Sequence, residues 1–504
     1  MTANDWSGIG VPPPLGGWHP ELAVSVLIPA YANQAHLDLT LAALAAQTYP
    51  AELLEVIVVD DGSPTPLRLP ALRPQNTRVV RAPGAGWGPG YAVSVGANEA
   101  TGAILHRIDA DMLLFPDHVE ALARWHHLVP YAVTLGMKRF ADVLPSSLSP
   151  EQVRAGVAGL FTEDGTEPHD YLEDLFRRTR DLRDAGPTAF LAHVGATTAV
   201  SRTLYDAAGG YDGSLHLGED TEFGYRLAQA GALFIPDRAA RAWHVGPTAM
   251  SRRGDGLRRY NRPFLADRMP QPRWLRSNGG PTWTTPLVVA VVDVAGHDLE
   301  TVRACVDGLL RGDERDLRVV LTGSAELSDP RRDVLADPQL ELRLIQQSYR
   351  GEPRVRFAES VESVFPSPFL LRVPAYARLA PGTVPMLLAE ADRHEAAVVT
   401  AGPVTLSRTA SAARTGFGVP APPHRTVGSA GIVDLRTLPP EVLADLSGDA
   451  HPGPEAGRWT PLTVEVGGVR TLLRAAAVVA KLSATRAARR LSAATRRRKG
   501  TPHG

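Results

Sequence analysis

Short apolar segments rich in β-branched residues alternate with segments of helical spacing between residues 24 and 112 of this 504-residue chain. Helical spacing covers His36–Gln47 and Pro89–Ala100, and each of these helices lies between two strand-like segments. Such alternation builds a mostly parallel sheet whose ligands bind at the carboxyl ends of the strands. We therefore predict an α/β fold with its site along that edge. The four predicted strands are Val24–Ile28, Glu55–Val59, Arg78–Arg81 and Ala103–Ile108.

Acidic residues follow two of these strands directly. Asp60 and Asp61 end one strand, and Asp109 and Asp111 end another. Four carboxylates in one crevice repel each other unless a cation, a bound hydroxyl or protonation satisfies them. Oxygen ligands suit Mg²⁺ or Mn²⁺, which usually bridge to substrate phosphates. The pattern predicts a divalent metal and a diphosphate substrate, although an aspartate pair that is only solvated is the alternative for so short a motif.

The overall charge and the cysteine content exclude several other classes of protein. The 53 Lys and Arg residues against 54 Asp and Glu residues give a net charge of −1, so we expect no nucleic-acid partner. One cysteine, Cys305, cannot form an intrachain disulfide or a Cys-based metal cage. Residues 1–20 lack a signal-peptide pattern, and no apolar run is long enough to span a bilayer. We expect a cytoplasmic protein.

The second half of the chain repeats the pattern of the first in a diverged form. At an offset of 261 residues, Leu287–Val289 matches Val26–Ile28, and at an offset of 265 several residues near 370 match residues near 105. The acids are lost in the copy: Leu321, Thr322, Pro374 and Tyr376 replace Asp60, Asp61, Asp109 and Asp111. We predict a second, degenerate α/β domain without a metal site, the alternative being chance similarity between two βα units.

Residues 466–504 form a strongly basic tail. They contain ten Lys and Arg residues and no acidic residue, and Val469–Leu491 has helical spacing of apolar side chains. A basic amphipathic helix of this kind is compatible with peripheral contact to an anionic membrane, at the inner face of the cell membrane. A solvated helix that ends in a disordered basic tail is the alternative.

Six motifs in a fixed order resemble the family 2 glycosyltransferases of the GT-A fold. The nucleotide-binding half is represented by Val24-Ser-Val-Leu-Ile-Pro-Ala-Tyr31, Val56-Ile-Val-Val-Asp-Asp-Gly-Ser63 and Ile108-Asp-Ala-Asp-Met112. The second half is represented by Gly209-Gly-Tyr-Asp212, by Gly218-Glu-Asp-Thr-Glu-Phe-Gly-Tyr-Arg226 and by His244. The resemblance covers residues 24–250 and implies a Rossmann-like GT-A domain.

The resemblance also implies an activity and a set of site residues. It implies inverting transfer of a sugar from a nucleotide-diphosphate sugar, with a UDP-sugar expected first, to a hydroxyl of a carbohydrate or cell-envelope glycan. The family's roles then fall on Pro29 and Tyr31 (nucleotide pocket), Asp60 (base or ribose, with Asp61 beside it), Asp109 (ribose and metal), Asp111 and His244 (metal), Asp220 (general base) and Glu219 (acceptor positioning). A metal ion, Mn²⁺ or Mg²⁺, would offset the charge of the leaving diphosphate.

We therefore expect four segments. They are a Pro/Gly-rich N-terminal segment (1–23), a catalytic GT-A domain (24–282), a degenerate GT-A-like α/β domain (283–465) and a basic helix and tail (466–504). The degenerate domain is expected to shape the acceptor groove, to mediate homo-oligomerisation or to hold the first domain in place.

The Arg-rich stretch after His244 has little apolar periodicity and is predicted to be a loop or lid. His193–Val200 is predicted to be a strand and Gly218–Ala230 a helix.

Two other classes of function remain open at the level of sequence. A nucleotidyltransferase would use a similar sheet, but that class generally starts with a glycine-rich, basic phosphate loop, and Pro29-Ala30-Tyr31 is neither. A non-catalytic carbohydrate-binding or scaffold protein is the other alternative. The intact acids Asp109, Asp111, Glu219 and Asp220 argue against it.

Overall fold

The computed structural model describes residues 4–143, 145–246, 249–276, 282–323, 327–328, 332–420 and 423–448, without the side chains of 249–253. The chain up to Asp449 forms one compact unit with two large sheets, which confirms the predicted α/β class. The predicted basic helix and tail over 466–504 lie outside the described residues. Within these ranges, none of the helices combines the length and the apolar composition that crossing a bilayer requires.

The first sheet has nine strands in the order β3-β2-β1-β4-β8-β6-β9-β5, with β7 paired to β6. The central strand β1 pairs in parallel with β2 and β4, so Val24 lies opposite both Leu54 and Ile104. Strand β8 then runs antiparallel to β4. The strands are β1 (Val24–Ala30), β2 (Leu54–Asp60), β3 (Thr77–Arg81), β4 (Ile104–Arg107), β5 (Met112–Leu114), β6 (Ala132–Ala141), β7 (Glu167–Pro168), β8 (Thr198–Ser201) and β9 (Leu233–Val245).

Helices cover both faces of this sheet, which explains why its inner strands are almost continuously apolar. Leu27, Ile57 and Val59 pack into one core, whereas Val26 and Ile28 pack into another on the opposite face. Because both faces of these strands are packed in a core, the acids at their carboxyl ends are held in fixed positions. The helices of this part are α1 (Gln34–Leu44), α2 (Pro89–Glu99), α3 (His118–His126), α4 (Pro150–Ala155), α5 (Asp170–Arg178), α6 (Arg202–Ala207), α7 (Glu219–Gln229) and α8 (Ala249–Arg268).

The second sheet has seven strands in the order β12-β11-β10-β13-β16-β15-β17, and β14 and β18 form a separate pair. Its strands are β10 (Val288–Asp293), β11 (Leu317–Thr322), β12 (Val355–Phe357), β13 (Phe369–Arg372), β14 (Ala377–Leu379), β15 (Val398–Ala401), β16 (Val404–Arg408), β17 (His424–Val427) and β18 (Ile432–Asp434). Its helices are α9 (Leu299–Leu310), α10 (Leu340–Tyr349), α11 (Thr383–Arg393), α12 (Thr409–Gly416) and α13 (Pro440–Ser447). One apolar core, which includes the buried Cys305, joins these elements.

Two predictions of local structure are wrong. The Arg-rich stretch is the helix α8 rather than a loop, because its last two turns bury Leu265 and Ala266 although its first turns show no apolar stripe. The predicted strand over His193–Val200 is shorter and begins at Thr198. Positive φ angles at Gly195 and Thr197 (82° and 72°) interrupt the extended backbone before that point.

The two sheets meet at helix α7. The Tyr225 hydroxyl of α7 donates a hydrogen bond to the Pro366 carbonyl at 2.6 Å. The buried Arg414 guanidinium, on α12, donates to the carbonyls of Gly231 and Ala232 at 2.9 and 2.7 Å, directly after α7. A Cβ at residue 231 would lie 3.0 Å from Arg414, so glycine permits this close approach. The segment that carries the second sheet therefore supports the end of α7.

Candidate active site

The pairing of β5 with β9 brings His244 next to the acids that follow β4. Met112 lies opposite His244 in this antiparallel pair. Ligand atoms of Asp109, Asp111 and His244 all lie within 4.8 Å of one another, and His244 Nε2 is 3.5 Å from Asp111 Oδ1. The structure thus brings together the three residues that the sequence predicted as metal ligands. Two carboxylates and an imidazole at this spacing could hold a divalent cation.

The environment of Asp111 is unfavourable for an isolated negative charge. Burial and the neighbouring Asp109 carboxylate raise the pKa of Asp111 to about 7. Its Oδ1 atom is buried and accepts no hydrogen bond from the described residues. A bound cation would satisfy both the charge and this oxygen. The residues present therefore fit a metal ion.

Arg107 is a site residue that the sequence interpretation missed. Its buried guanidinium lies 3.2 Å from Asp109, 3.3 Å from Asp220 and 3.9 Å from Glu219 (Nη to carboxylate oxygen). One arginine thus links the metal cluster to the acids of α7. The signal was a charged residue inside the buried strand β4, since a buried arginine needs ionic partners.

Gly195 makes room for this ion-pair network. Its φ angle is 82°, and a Cβ at this position would lie 2.0 Å from Arg107 Nη1 and 2.4 Å from Asp220 Oδ2. Any side chain would displace the contact between Arg107 and Asp220. Gly195 is therefore a second site residue that the sequence analysis missed, because its role depends on long-range packing.

Helix α7 presents the predicted catalytic acids in its first turn, as the sequence predicted. Gly218, in the left-handed conformation, precedes the helix, and the N-terminal end of the helix dipole favours negative charge. The Tyr211 hydroxyl donates a hydrogen bond to Asp220 Oδ1 at 3.2 Å. Burial and the adjacent Asp220 carboxylate raise the pKa of Glu219 to about 8. Near neutral pH, Glu219 therefore carries a proton.

Lys138 is a second buried cation of the site. It lies on β6, and its Nζ atom donates a hydrogen bond to the Ala196 carbonyl at 3.3 Å. Burial lowers the pKa of Lys138, and the Asp109 carboxylate opposes this effect. Two internal cations, Arg107 and Lys138, thus face four carboxylates. Even with Glu219 protonated, the carboxylates of this set outnumber its two cations, so a bound metal ion would be favourable here.

The predicted nucleotide-binding residues lie at the ends of β1 and β2. Asp60 is buried and accepts hydrogen bonds from the backbone N–H groups of Ser63 and Leu67 at 2.8 and 3.2 Å. Burial alone would raise the pKa of Asp60, but these hydrogen bonds outweigh it and lower that pKa. Both of its oxygens are thus used to hold the loop that follows β2.

Asp61 and Tyr31 are freer to contact a ligand than Asp60. Asp61 Oδ2 accepts a hydrogen bond from Gly88 N at 2.8 Å, whereas its buried Oδ1 has no partner within the described ranges. Tyr31 follows β1 and is 59% exposed, and Pro29 is half-buried within β1. Along this edge, Pro29 and Tyr31 belong to β1, which lies next to β4, whereas Asp61 follows β2, two strands from β4.

Comparison with known proteins relates the first part of the chain to glycosyltransferases. A family model described as glycosyl transferase family 2 matches residues 25–192. A chondroitin synthase of Escherichia coli is 25% identical over 354 residues, which cover 66% of this chain and 50% of that protein. A hyaluronan synthase of Pasteurella multocida is 24% identical over 369 residues, covering 67% of this chain and 35% of that protein. The chain thus spans half or less of the length of these curated relatives.

A solved mannosyltransferase of Pyrobaculum calidifontis, in complex with GDP-Man and Mn²⁺, is 19% identical. The matched region covers 53% of this chain and 69% of the mannosyltransferase chain, with a TM-score of 0.35. The family match covers strands β1 to β7, with both acidic strand ends, whereas α7 and β9 lie beyond it. Residues 25–192 are therefore similar to family 2 glycosyltransferases, and this similarity lies in the first sheet.

Proposed function

We propose that residues 24–282 catalyse metal-dependent, inverting transfer of a sugar from a nucleoside-diphosphate sugar to a hydroxyl of a glycan acceptor. The observation that carries this proposal is the contact of Arg107 with Asp109, Glu219 and Asp220, which joins a metal-type cluster to a pair of catalytic-type acids. A UDP-sugar is the first donor to test. The names of the two synthase relatives favour a polysaccharide as acceptor.

Asp109, Asp111 and His244 would hold the metal ion, which we take to be Mn²⁺ or Mg²⁺. When bound, the ion acts as a Lewis acid for the departing diphosphate. The metal is expected together with the donor, because such ions usually share their coordination with substrate phosphates.

Asp220 accepts the proton of the acceptor hydroxyl as its oxygen attacks the anomeric carbon of the donor. The bond from that carbon to the diphosphate oxygen breaks, and the proton remains on the Asp220 carboxyl group. Tyr211 and Arg107 hold the Asp220 side chain in place. Glu219, which carries a proton near neutral pH, donates a hydrogen bond to the acceptor. A general base such as Asp220 contributes about 10²–10⁴-fold to the rate.

The nucleoside part of the donor is assigned to Asp61 and Tyr31, with Pro29 in the pocket wall. The unpartnered oxygen of Asp61 supports its role as acceptor for a base or ribose donor group. Asp60 acts by holding the loop through Ser63 and Leu67, so its role is positioning rather than direct contact. This shifts the main nucleotide contact from Asp60 to its neighbour.

Thermal unfolding with a panel of donors tests the proposed function. We expect one class among UDP-, GDP- and dTDP-sugars to stabilise the protein only when Mn²⁺ or Mg²⁺ is present. At a donor concentration of 100 times Kd, the gain in unfolding free energy is about 2.7 kcal/mol. Stabilisation without metal would contradict the proposed metal dependence. A lack of stabilisation by every sugar nucleotide would favour a non-catalytic scaffold, and turnover of a nucleoside triphosphate would favour a nucleotidyltransferase.

The second sheet is proposed to be a diverged copy of the first. In both sheets, four parallel strands are followed by one strand that runs antiparallel to the fourth, and then by two further strands. The two orders are β3-β2-β1-β4-β8-β6-β9 and β12-β11-β10-β13-β16-β15-β17. Corresponding strands begin at nearly constant separations: 264 residues for β1 and β10, 263 for β2 and β11, and 265 for β4 and β13. The offset of 261 that aligns Leu287–Val289 with Val26–Ile28 is therefore three residues shorter than the separation of β1 and β10. Pro374 and Tyr376 follow β13 where Asp109 and Asp111 follow β4.

We assign to this copy the support of α7 rather than catalysis, and Arg414→Ala tests the assignment. Loss of two charge-assisted hydrogen bonds should lower the free energy of unfolding by about 1.5–3 kcal/mol. Because α7 carries Asp220, kcat should fall more than the affinity for donor and metal. Urea unfolding and steady-state kinetics measure the two effects.

Arg393→Ala, which removes a surface ion pair with Glu390, is the matched control and should lower the free energy of unfolding by less than about 1 kcal/mol. A destabilised Arg414→Ala with wild-type kcat would contradict the supporting role.

A further inference from the structure

Trp87 and His216 form a stacked pair of rings on the surface of the first domain. Their ring centroids are 3.9 Å apart and their planes differ by 9°. A hydrogen bond of 3.1 Å joins His216 Nδ1 and the Trp87 carbonyl oxygen. Trp87 is nevertheless 61% exposed. Because His216 covers one face of the indole, its exposed area lies on the other face and the edges, where a flat apolar surface is held ready for a ligand.

The loop that carries Trp87 is fixed between the two parts of the active site. Gly88 N donates a hydrogen bond to Asp61, and a Cβ at Gly90 would lie 3.0 Å from Glu219 Cγ. His216 precedes Glu219 by three residues, on the turn that leads into α7. The stacked pair therefore lies beside the N-terminus of the helix whose Asp220 must reach the acceptor hydroxyl.

A second stacked aromatic pair borders the same turn. Tyr260 and Phe264 of α8 are partly exposed, with ring centroids 5.0 Å apart and an interplanar angle of 27°. Between them in sequence, Asn261 Nδ2 lies 3.1 Å from the position of a Cβ at Gly218, so α8 packs against this turn. Two aromatic pairs, one on this turn and one on the helix packed against it, suit a chain of rings better than a single planar base.

We propose that the Trp87–His216 pair is a stacking platform for a pyranose ring of the glycan acceptor. The proposal rests on the proposed function and names the acceptor subsite of that same site. Indole presents a negative face, and the apolar side of a pyranose presents weakly positive C–H groups. Such contact binds a sugar without reading its hydroxyls. It places a ring next to Glu219 and Asp220 while the hydroxyls remain free to react.

Direct binding of defined oligosaccharides tests the platform without a need for turnover. Calorimetry would measure the affinity of hexasaccharides of hyaluronan, chondroitin and cellulose for the wild type, Trp87→Ala and Trp87→Phe. We expect Trp87→Ala to weaken the oligosaccharide that binds by about tenfold or more, a loss of about 1.4 kcal/mol, and Trp87→Phe to retain most of the affinity. Trp274→Ala, which removes another exposed tryptophan, is the matched control and should change nothing.

The same proteins are titrated with UDP and Mn²⁺ to separate this proposal from the proposed function. Unchanged UDP affinity in Trp87→Ala, with weakened oligosaccharide binding, supports the platform. Weakened UDP affinity with unchanged oligosaccharide affinity would overturn it and assign Trp87 to the nucleobase. Absence of oligosaccharide binding by the wild type would overturn it as well. If the wild type binds an oligosaccharide through Trp87 but no sugar nucleotide, the platform stands and the proposed transfer reaction fails.

Discussion

Replacement of Asp220 by Asn is expected to lower kcat by about 10²–10⁴-fold, the share of the rate that a positioned general base supplies. Asparagine keeps the size of the side chain and can still accept the Tyr211 hydrogen bond, but it cannot take the proton of the acceptor hydroxyl. Donor binding should change little, because Asp220 is not part of the Asp109, Asp111 and His244 cluster. Initial rates of sugar transfer, together with calorimetric binding of UDP and Mn²⁺, measure both effects.

Asp174→Asn is the control for this substitution, since Asp174 forms ion pairs with Arg177 and Arg178 on the surface of α5, away from the acids of α7. It should retain the wild-type kcat. If Asp220→Asn also retains it, the base is another group, and Glu219→Gln becomes the next variant to measure. If Asp220→Asn loses donor binding together with transfer, the residue acts through the donor site and our assignment of the proton to Asp220 is wrong.

The sequence carried enough information to predict where the acids at the strand ends would lie. Acids directly after apolar strands of a parallel sheet must converge on one edge, so the placement of Asp60 and Asp61 on the same edge as Asp109 and Asp111 followed from topology alone. Helix α7 was predicted correctly because Gly218 and the acids after it form a local N-terminal signal. The place of His244 depended instead on the motif order of the family, since nothing local to residue 244 shows that β9 pairs with β5.

The sequence was less informative where long-range packing decides the structure. Arg107 was included in a strand as one residue among apolar neighbours, and its contact with three acids from two parts of the chain appears only after folding. Gly195 shows the same limit, because its lack of a side chain matters only against Arg107 and Asp220. Helix α8 was missed because Leu265 and Ala266 are buried by tertiary contacts rather than by a continuous apolar stripe.

The roles of Asp60 and Asp61 show how hydrogen bonds refine a motif. The two adjacent acids are equivalent candidates in the sequence, and family order places the nucleotide contact on the first. In the structure, backbone N–H groups occupy both oxygens of Asp60, whereas one buried oxygen of Asp61 has no partner among the described residues. We therefore expect Asp60 to hold the loop after β2 and the free oxygen of Asp61 to be available to a ligand.

Asp111→Asn is expected to remove most of the metal-dependent stabilisation by the sugar nucleotide. Loss of groups that merely orient metal ligands already costs about 10–100-fold in metal affinity, so loss of a ligand should cost about 100-fold or more. At a donor concentration that stabilises the wild type by about 2.7 kcal/mol, the variant should gain only about 0.4 kcal/mol.

Asp111 is the better residue for this test than Asp109, because Asp109 also contacts Arg107 and its loss would disturb the acids of α7. Thermal unfolding with donor and Mn²⁺, with donor alone and with Mn²⁺ alone makes the comparison. Asp38→Asn, a change on α1 next to Gln34, is the control and should keep the full metal-dependent gain. The ligand-free variant should unfold no earlier than the wild type, since the substitution removes a buried charge that repels Asp109. Equal stabilisation of Asp111→Asn and wild type would show that the donor binds without this carboxylate, and the cluster of Asp109, Asp111 and His244 would then not be the metal site.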